Sequence, residues 1–116
     1  MRIESYGSVK VYWPDFTRDE LIERLREGVQ RLSAELPLKK AALFGSWAKD
    51  QATAFSDVDL MVIYAGPARE DAYRTVRRVI PIEGLEPHVH SEAEAAKLRS
   101  VLDRMLADGS VELTPR

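Results

Sequence analysis

The chain has 116 residues, 45% hydrophobic and 31% charged, a balance that fits a packed globular protein and excludes disordered and fibrous classes. Lys and Arg number 17 against 19 Asp and Glu, for a net charge of -2, so no global positive field exists to hold nucleic acid nonspecifically. Cysteine is absent, which excludes disulfides, thiolate nucleophiles and cysteine zinc sites.

No apolar stretch approaches the roughly 20 residues that span a bilayer, and the N-terminus lacks the basic-then-apolar layout of a signal peptide. A cytoplasmic protein without a membrane partner is expected. The length predicts a single domain over residues 1–116.

In chain order, "SYGSVKVYW" mixes aromatic and β-branched residues in partial alternation and predicts a strand or extended arm ending before Pro14. Thr17 with Glu20 three residues later forms a capping box. Leu21, Ile22, Leu25, Val29 and Leu32 then share one face, predicting a helix from Arg18 to Glu35. Its other face carries Glu20 with Arg24 and Glu27 with Arg31 at i, i+4, an ordinary solvated surface. Pro37 ends the helix, and "KAALFG" suits a short buried strand.

The Gly45-Ser46 turn follows at once. "SWAKDQ" predicts one or two helical turns, "TAFS" a loop, and "DVDLMVIY" a second strand bounded by Gly66-Pro67. "AREDAYRTVRRVI", with Ala72, Tyr73, Val76, Val79 and Ile80 near one face, predicts a helix stopped by Pro81. "LEPHVH" reads as a third strand after Gly84. Ser91 with Glu94 makes a second capping box, and Leu98, Val101, Leu102, Met105 and Leu106 form an apolar stripe up to Gly109. "SVELT" closes the series as a last short strand. No repeat or low-complexity tract interrupts this order, and its sum is a helix-covered mixed sheet.

The chemistry concentrates in "LFGSWAKDQATAFSDVDLMVIY". Strand side chains alternate, so Asp57 and Asp59 project from one face while Val58, Leu60 and Val62 occupy the other. Carboxylates held so close raise each other's pKa and destabilise the fold unless a cation or donors offset the repulsion. Magnesium does so with oxygen ligands in octahedral geometry and keeps positions open for phosphate oxygens. Paired ions about 3.5 to 4 Å apart hold both the attacking and leaving oxygens of an in-line displacement. The Gly-Ser turn suits phosphate: glycine permits close backbone approach, exposed amides favour anionic oxygens, and Ser46 adds a hydroxyl.

Other chemistries fail on composition or spacing. Gly45 is not followed by the Gly-Lys-Ser/Thr ending of a P-loop, and Ser46 has no plausible triad. Alternation in "LEPHVH" places Glu86, His88 and His90 on one face and Leu85, Pro87 and Val89 on the other. The histidines are read as satisfied polar residues without a catalytic role. Arg74, Arg77 and Arg78 come together on a helix and are read chiefly as a solvated face.

Strand, Gly45-Ser46, ten intervening residues, Asp57-x-Asp59, strand: this order resembles the nucleotidyltransferase superfamily of DNA polymerase β type. Within it the chain resembles the minimal nucleotidyltransferases, small proteins that carry "GSxARGxxxxxSDxDLxV". The stretch here reads "GSWAKDQATAFSDVDLMV". Gly45, Ser46, Ala48, Ser56, Asp57, Asp59, Leu60 and Val62 match, and Lys49 stands where the family has a basic residue. Asp50 departs from the pattern, since glycine is usual there. "LEPHVHSEAE" resembles the "EPHxxTxEE" segment of one branch, and Glu86 is carried over from it as a third carboxylate.

The resemblance implies a polymerase β-like fold of class α+β, a mixed β-sheet flanked by helices. It implies transfer of a nucleoside monophosphate, AMP from ATP, to an acceptor hydroxyl by two-metal magnesium catalysis. Asp57, Asp59 and Glu86 would be the catalytic residues and metal ligands, and Gly45, Ser46, Lys49 and Ser56 the nucleotide-binding ones. Larger relatives carry a second domain for the acceptor, so here the acceptor surface is expected from a partner or from another subunit of a homo-oligomer. The implied partner is a HEPN-type toxin whose tyrosine receives AMP, with this chain as antitoxin. An acidic Asp50 near a triphosphate favours a second reading, a catalytically weak or inactive binding module that neutralises a partner by contact.

Overall fold

The computed structural model of the chain describes residues 2–6, 9–13, 16–53 and 56–115, with side chains from residue 16 onward. Strands β1 (Arg2–Tyr6) and β2 (Val9–Trp13) pair antiparallel, from Arg2 opposite Trp13 to Tyr6 opposite Val9. The single strand expected over "SYGSVKVYW" is therefore parts of two strands, because its two β-prone runs pair with each other. Gly7, Ser8 and Pro14 lie outside the described residues, as do Ala54 and Phe55 of the expected "TAFS" loop.

Helix α1 (Arg18–Leu32) starts where the capping box predicts. The Thr17 hydroxyl accepts the Glu20 amide at 3.2 Å, and the Glu20 carboxylate accepts the Thr17 amide at 3.4 Å. Leu21, Leu25, Val29 and Leu32 are buried. The helix ends three residues before Glu35. The amides of Ala34 and Glu35 turn tighter, onto the carbonyls of Arg31 and Leu32, as the chain approaches Pro37. Proline disfavours helical geometry in the residue before it, so the regular helix stops ahead of Leu36.

The remaining elements are β3 (Leu38–Phe44), β4 (Val58–Tyr64), α2 (Ala72–Val79), β5 (Leu85–Ser91), α3 (Glu92–Lys97), α4 (Arg99–Ala107) and β6 (Ser110–Glu112). The four strands among these form one mixed sheet in the order β5-β4-β3-β6. The β4 and β5 strands run parallel, while β3 is antiparallel to both β4 and β6. This is the expected α+β class.

Alternation divides the sheet into two faces. Ala41, Leu43, Val58, Leu60, Val62, Tyr64 and Leu85 pack in one core with Leu21, Leu25 and Val29 of α1 and Val76 of α2. The opposite face carries a smaller cluster of Phe44, Met61 and Leu102, with Ile63, Ala95, Met105 and Leu106 against it. Asp59 lies on this second face, one alternation step from Met61, and the site is built at that start of β4.

Two helical expectations shift. In α2, Tyr73 is 47% exposed and Thr75 takes the buried position, so the apolar face is rotated from the expected one. The last helix is two: Leu98, at φ -104° and ψ 14°, ends α3 and precedes α4. Leu98 and Val101 are exposed, whereas Leu102 is buried. Because Ser91 ends β5 and also caps α3, the strand fixes where α3 begins. The break then lets Leu102, Met105 and Leu106 reach Phe44 and Met61.

Candidate active site

The Gly45-Ser46 turn leaves the end of β3. Instead of the expected one or two regular helical turns, residues 46–50 make one closed turn. The amide of Lys49 bonds to the Gly45 carbonyl (3.2 Å), that of Asp50 to Trp47 (3.4 Å) and that of Gln51 to Ser46 (2.8 Å). The last two bonds form the paired pattern that ends helices with one left-handed residue, a position usually filled by glycine. Here it is Asp50, at φ 57°. The departure from the family pattern thus falls on a backbone position, one that Asp tolerates better than most side chains.

Arg18 and Phe16, both outside the recognised motif, hold this turn. Arg18 reaches from the start of α1 and donates from Nε to the Trp47 carbonyl (2.9 Å) and from a terminal nitrogen to the Ala48 carbonyl (3.0 Å). Trp47 is buried and lies 5.5 Å from the Phe16 ring, and its indole nitrogen has no hydrogen-bond partner among the described residues. The turn is therefore anchored on its carbonyl side, with Gly45 and Ser46 at its beginning.

Gly45 has φ 76°, and a Cβ placed on it would collide with a carboxylate oxygen of Asp59, whose Cγ lies 3.3 Å away. Register explains the approach, since Phe44 pairs with Asp59 across the antiparallel β3 and β4 ladder. Asp57 immediately precedes β4 and is exposed, while Asp59 is half-buried. Asp59 pairs with Glu86 on the parallel neighbour β5. In-register residues on adjacent strands, about 4.8 Å apart, project from the same face. Glu86 is exposed, and the start of its strand is held by the Arg77 guanidinium on the Leu85 carbonyl (3.0 Å) and by the Val58 amide on Gly84 (2.8 Å).

Lys49 and Ser56 have partners of their own. The Lys49 ammonium lies 2.7 Å from an Asp108 carboxylate oxygen, and this bond holds the Asp108 carboxyl below the usual carboxylate range. The Ser56 hydroxyl accepts the Thr53 amide at 2.9 Å and so shapes the loop before Asp57. Sequence reasoning gave His88 no role, yet its Nε2 lies 3.4 Å from Asp59 Oδ1, with its ring edge-on to Phe44 at 5.0 Å. The available signal was its shared face with Glu86; only the pairing of β5 with β4 brings it to Asp59. For Arg18 and Asp108 no sequence signal existed. Of the three arginines of α2, Arg77 is bound to Leu85 and Arg78 to Glu35.

The donor chemistry suits a hard divalent cation: three carboxylates at the same end of adjacent strands, with a glycine laid against one of them where a side chain would intrude. Among the described residues no three such groups already converge on one point. Asp57 and Glu86 are exposed and able to change rotamer on the picosecond-to-nanosecond scale. The residues present fit magnesium better than zinc, since neither cysteine nor a histidine cluster is available.

A sequence profile of the nucleotidyltransferase domain matches residues 22–108, which include all seven of these candidate residues, and the chain belongs to that family. It is a nucleotidyltransferase by class. Among solved structures, it is similar to a protein from Sulfolobus solfataricus described as a nucleotidyltransferase, at 20% identity and TM-score 0.59, over 82% of this chain and 80% of that one. It is also similar to a chain from a complex of the tri-AMPylated HEPN toxin of Shewanella oneidensis with an MNT antitoxin. There the identity is 15% and the TM-score 0.54, over 86% and 74% of the two chains. A toxin-antitoxin structure with AMP-PNP matches at 18% identity and TM-score 0.54, over 78% and 73%. At these identities the likeness bears on the fold. No curated protein matches the sequence.

Proposed function

We propose that this nucleotidyltransferase moves AMP from ATP to an acceptor hydroxyl, and that the acceptor is a tyrosine of a HEPN-type protein partner. The observation that carries the transfer chemistry is the packing of Gly45 against Asp59, with Asp57 just before the same strand and Glu86 level with Asp59 on the next. The partner is supported by the solved relatives, whose complexes include an AMPylated HEPN toxin and AMP-PNP.

In this reading Asp57, Asp59 and Glu86 hold magnesium, which when bound neutralises phosphate charge and lowers the pKa of the acceptor hydroxyl. Gly45 lets the backbone come against the β- and γ-phosphates, Ser46 donates its hydroxyl to them, and Lys49 and Ser56 complete the nucleotide contacts. The acceptor oxygen bonds to the α-phosphorus as the bond to pyrophosphate breaks, and the hydroxyl proton is released. His88 orients the Asp59 carboxylate from the side. Asp57 and Glu86 are exposed, which leaves them open to an acceptor delivered by another protein. Such chemistry belongs in the cytoplasm, where ATP is supplied; among the described residues no helix is long and apolar enough to cross a membrane.

The test is incubation with labelled ATP, magnesium and the product of the neighbouring gene. Transfer of label to the partner is expected, falling by about 100-fold or more in Asp57→Asn and in Asp59→Asn, the several kcal/mol that metal-borne charge stabilisation supplies. Undiminished transfer in both variants would sink the proposal. Inhibition of the partner without any label transfer would instead favour neutralisation by contact.

A further inference from the structure

Lys49 is the basic residue of the candidate phosphate-binding turn, and its charge is already engaged. Its ammonium lies 2.7 Å from Asp108 Oδ2, while its stem crosses Gly109. A Cβ on Gly109 would come within 3.0 Å of Lys49 Cγ and 3.7 Å of Cδ, and Gly109 adopts φ 133°. Register brings the two segments together. Ser110 pairs with Phe44, so the residues that lead into β6 lie beside the turn that leaves β3.

Asp108 caps the C-terminus of α4, its amide bonding to the Leu106 carbonyl. The helix macrodipole disfavours a carboxylate at that end. The position of Asp108 is therefore not explained by α4; it is explained by Lys49. The pair is open to solvent, with side-chain exposures of 31% for Lys49 and 75% for Asp108. An exposed ion pair is weak and exchanges partners readily, and a polyphosphate offers the ammonium more negative charge than one carboxylate does.

We propose that Asp108 is a positioning residue that restrains Lys49 against Gly109 and thereby lowers nucleotide affinity, so that an incoming triphosphate must draw the ammonium away from it. This rests on the reading of Lys49 as a nucleotide contact. In this arrangement the end of α4 sets the strength of binding at a turn more than fifty residues earlier in the chain.

The experiment is calorimetric binding of AMP-PNP with magnesium to the full chain, to Asp108→Asn, to Lys49→Met and to the double variant. Asp108→Asn is expected to tighten binding about 2- to 5-fold, the range set by an exposed ion pair, with the gain shrinking as salt is raised. In the Lys49→Met background the same change is expected to leave affinity within about 1.5-fold, because the restraint then has nothing to act on. No tightening in Asp108→Asn, or equal tightening in both backgrounds as from a general charge effect, would overturn the proposal. A chain that binds no AMP-PNP before substitution would overturn the underlying nucleotide reading, and this inference with it.

Discussion

Two backbone positions carry the turn before β4, and they differ in what they tolerate. Gly45 combines φ 76° with the approach of the Asp59 carboxylate, so any side chain there is strained and also displaces Asp59. Asp50 has only the backbone demand, at φ 57°. A short polar side chain visits the left-handed region at modest cost, whereas a β-branched one clashes with its own backbone. Asp50→Val is therefore expected to destabilise the protein by about 1–2 kcal/mol. Asp50→Gly should stay within about 1 kcal/mol, because relief of strain is offset by the greater freedom of glycine in the unfolded chain. Urea unfolding of both variants checks the pair. In the sequence Asp50 reads as a charge near a phosphate; the structure shows that the position is governed first by a torsion angle. Motif patterns record residue types, and they do not say whether a glycine is used for its shape or for its lack of charge.

At the scale of elements, the two capping boxes were legible because both partners lie within one turn of the chain. In α3 the Glu94 carboxylate accepts the Ser91 amide at 2.9 Å, and this hydrogen bond holds its carboxyl below the ordinary glutamate range. A carboxyl whose pKa is lower when folded than when unfolded contributes stability that is full above the unfolded value and lost as pH falls through the folded one. Stability should therefore decline as pH falls below about 4.5, the ordinary glutamate value, and Glu94→Gln should remove the part of that decline due to this cap. Unfolding midpoints of the two proteins above and below that value test the point. The break at Leu98 was not legible, since the apolar spacing from Leu98 to Leu106 fits one continuous helix. Nor was the exposure of Tyr73, whose place on the buried face is taken by Thr75. Periodicity says which residues can share a face; the neighbouring element decides which way that face turns.

For the molecule as a whole, the sheet joins stability and chemistry in one strand. Leu60 is fully buried in β4 between Asp59 and Met61, and its side chain enters the core shared with α1 and α2. Leu60→Ala is expected to lower stability by about 3 kcal/mol through lost burial and the cavity left behind, measured by urea or thermal unfolding. Within the sequence alone, the alternation of "DVDLMVIY" already separated the carboxylates from the core, and the Gly-Ser and Asp-x-Asp spacing already named the family. Both depend on residues close in the chain, where backbone geometry leaves few alternatives. What only the tertiary structure decided is who meets whom across the sheet: Glu86 and His88 beside Asp59, Arg18 on the carbonyls of Trp47 and Ala48, and Asp108 on Lys49. Those meetings follow from strand order and register, which arise when distant apolar faces pack together; local patterns in the chain name a candidate such as Glu86 without pairing it.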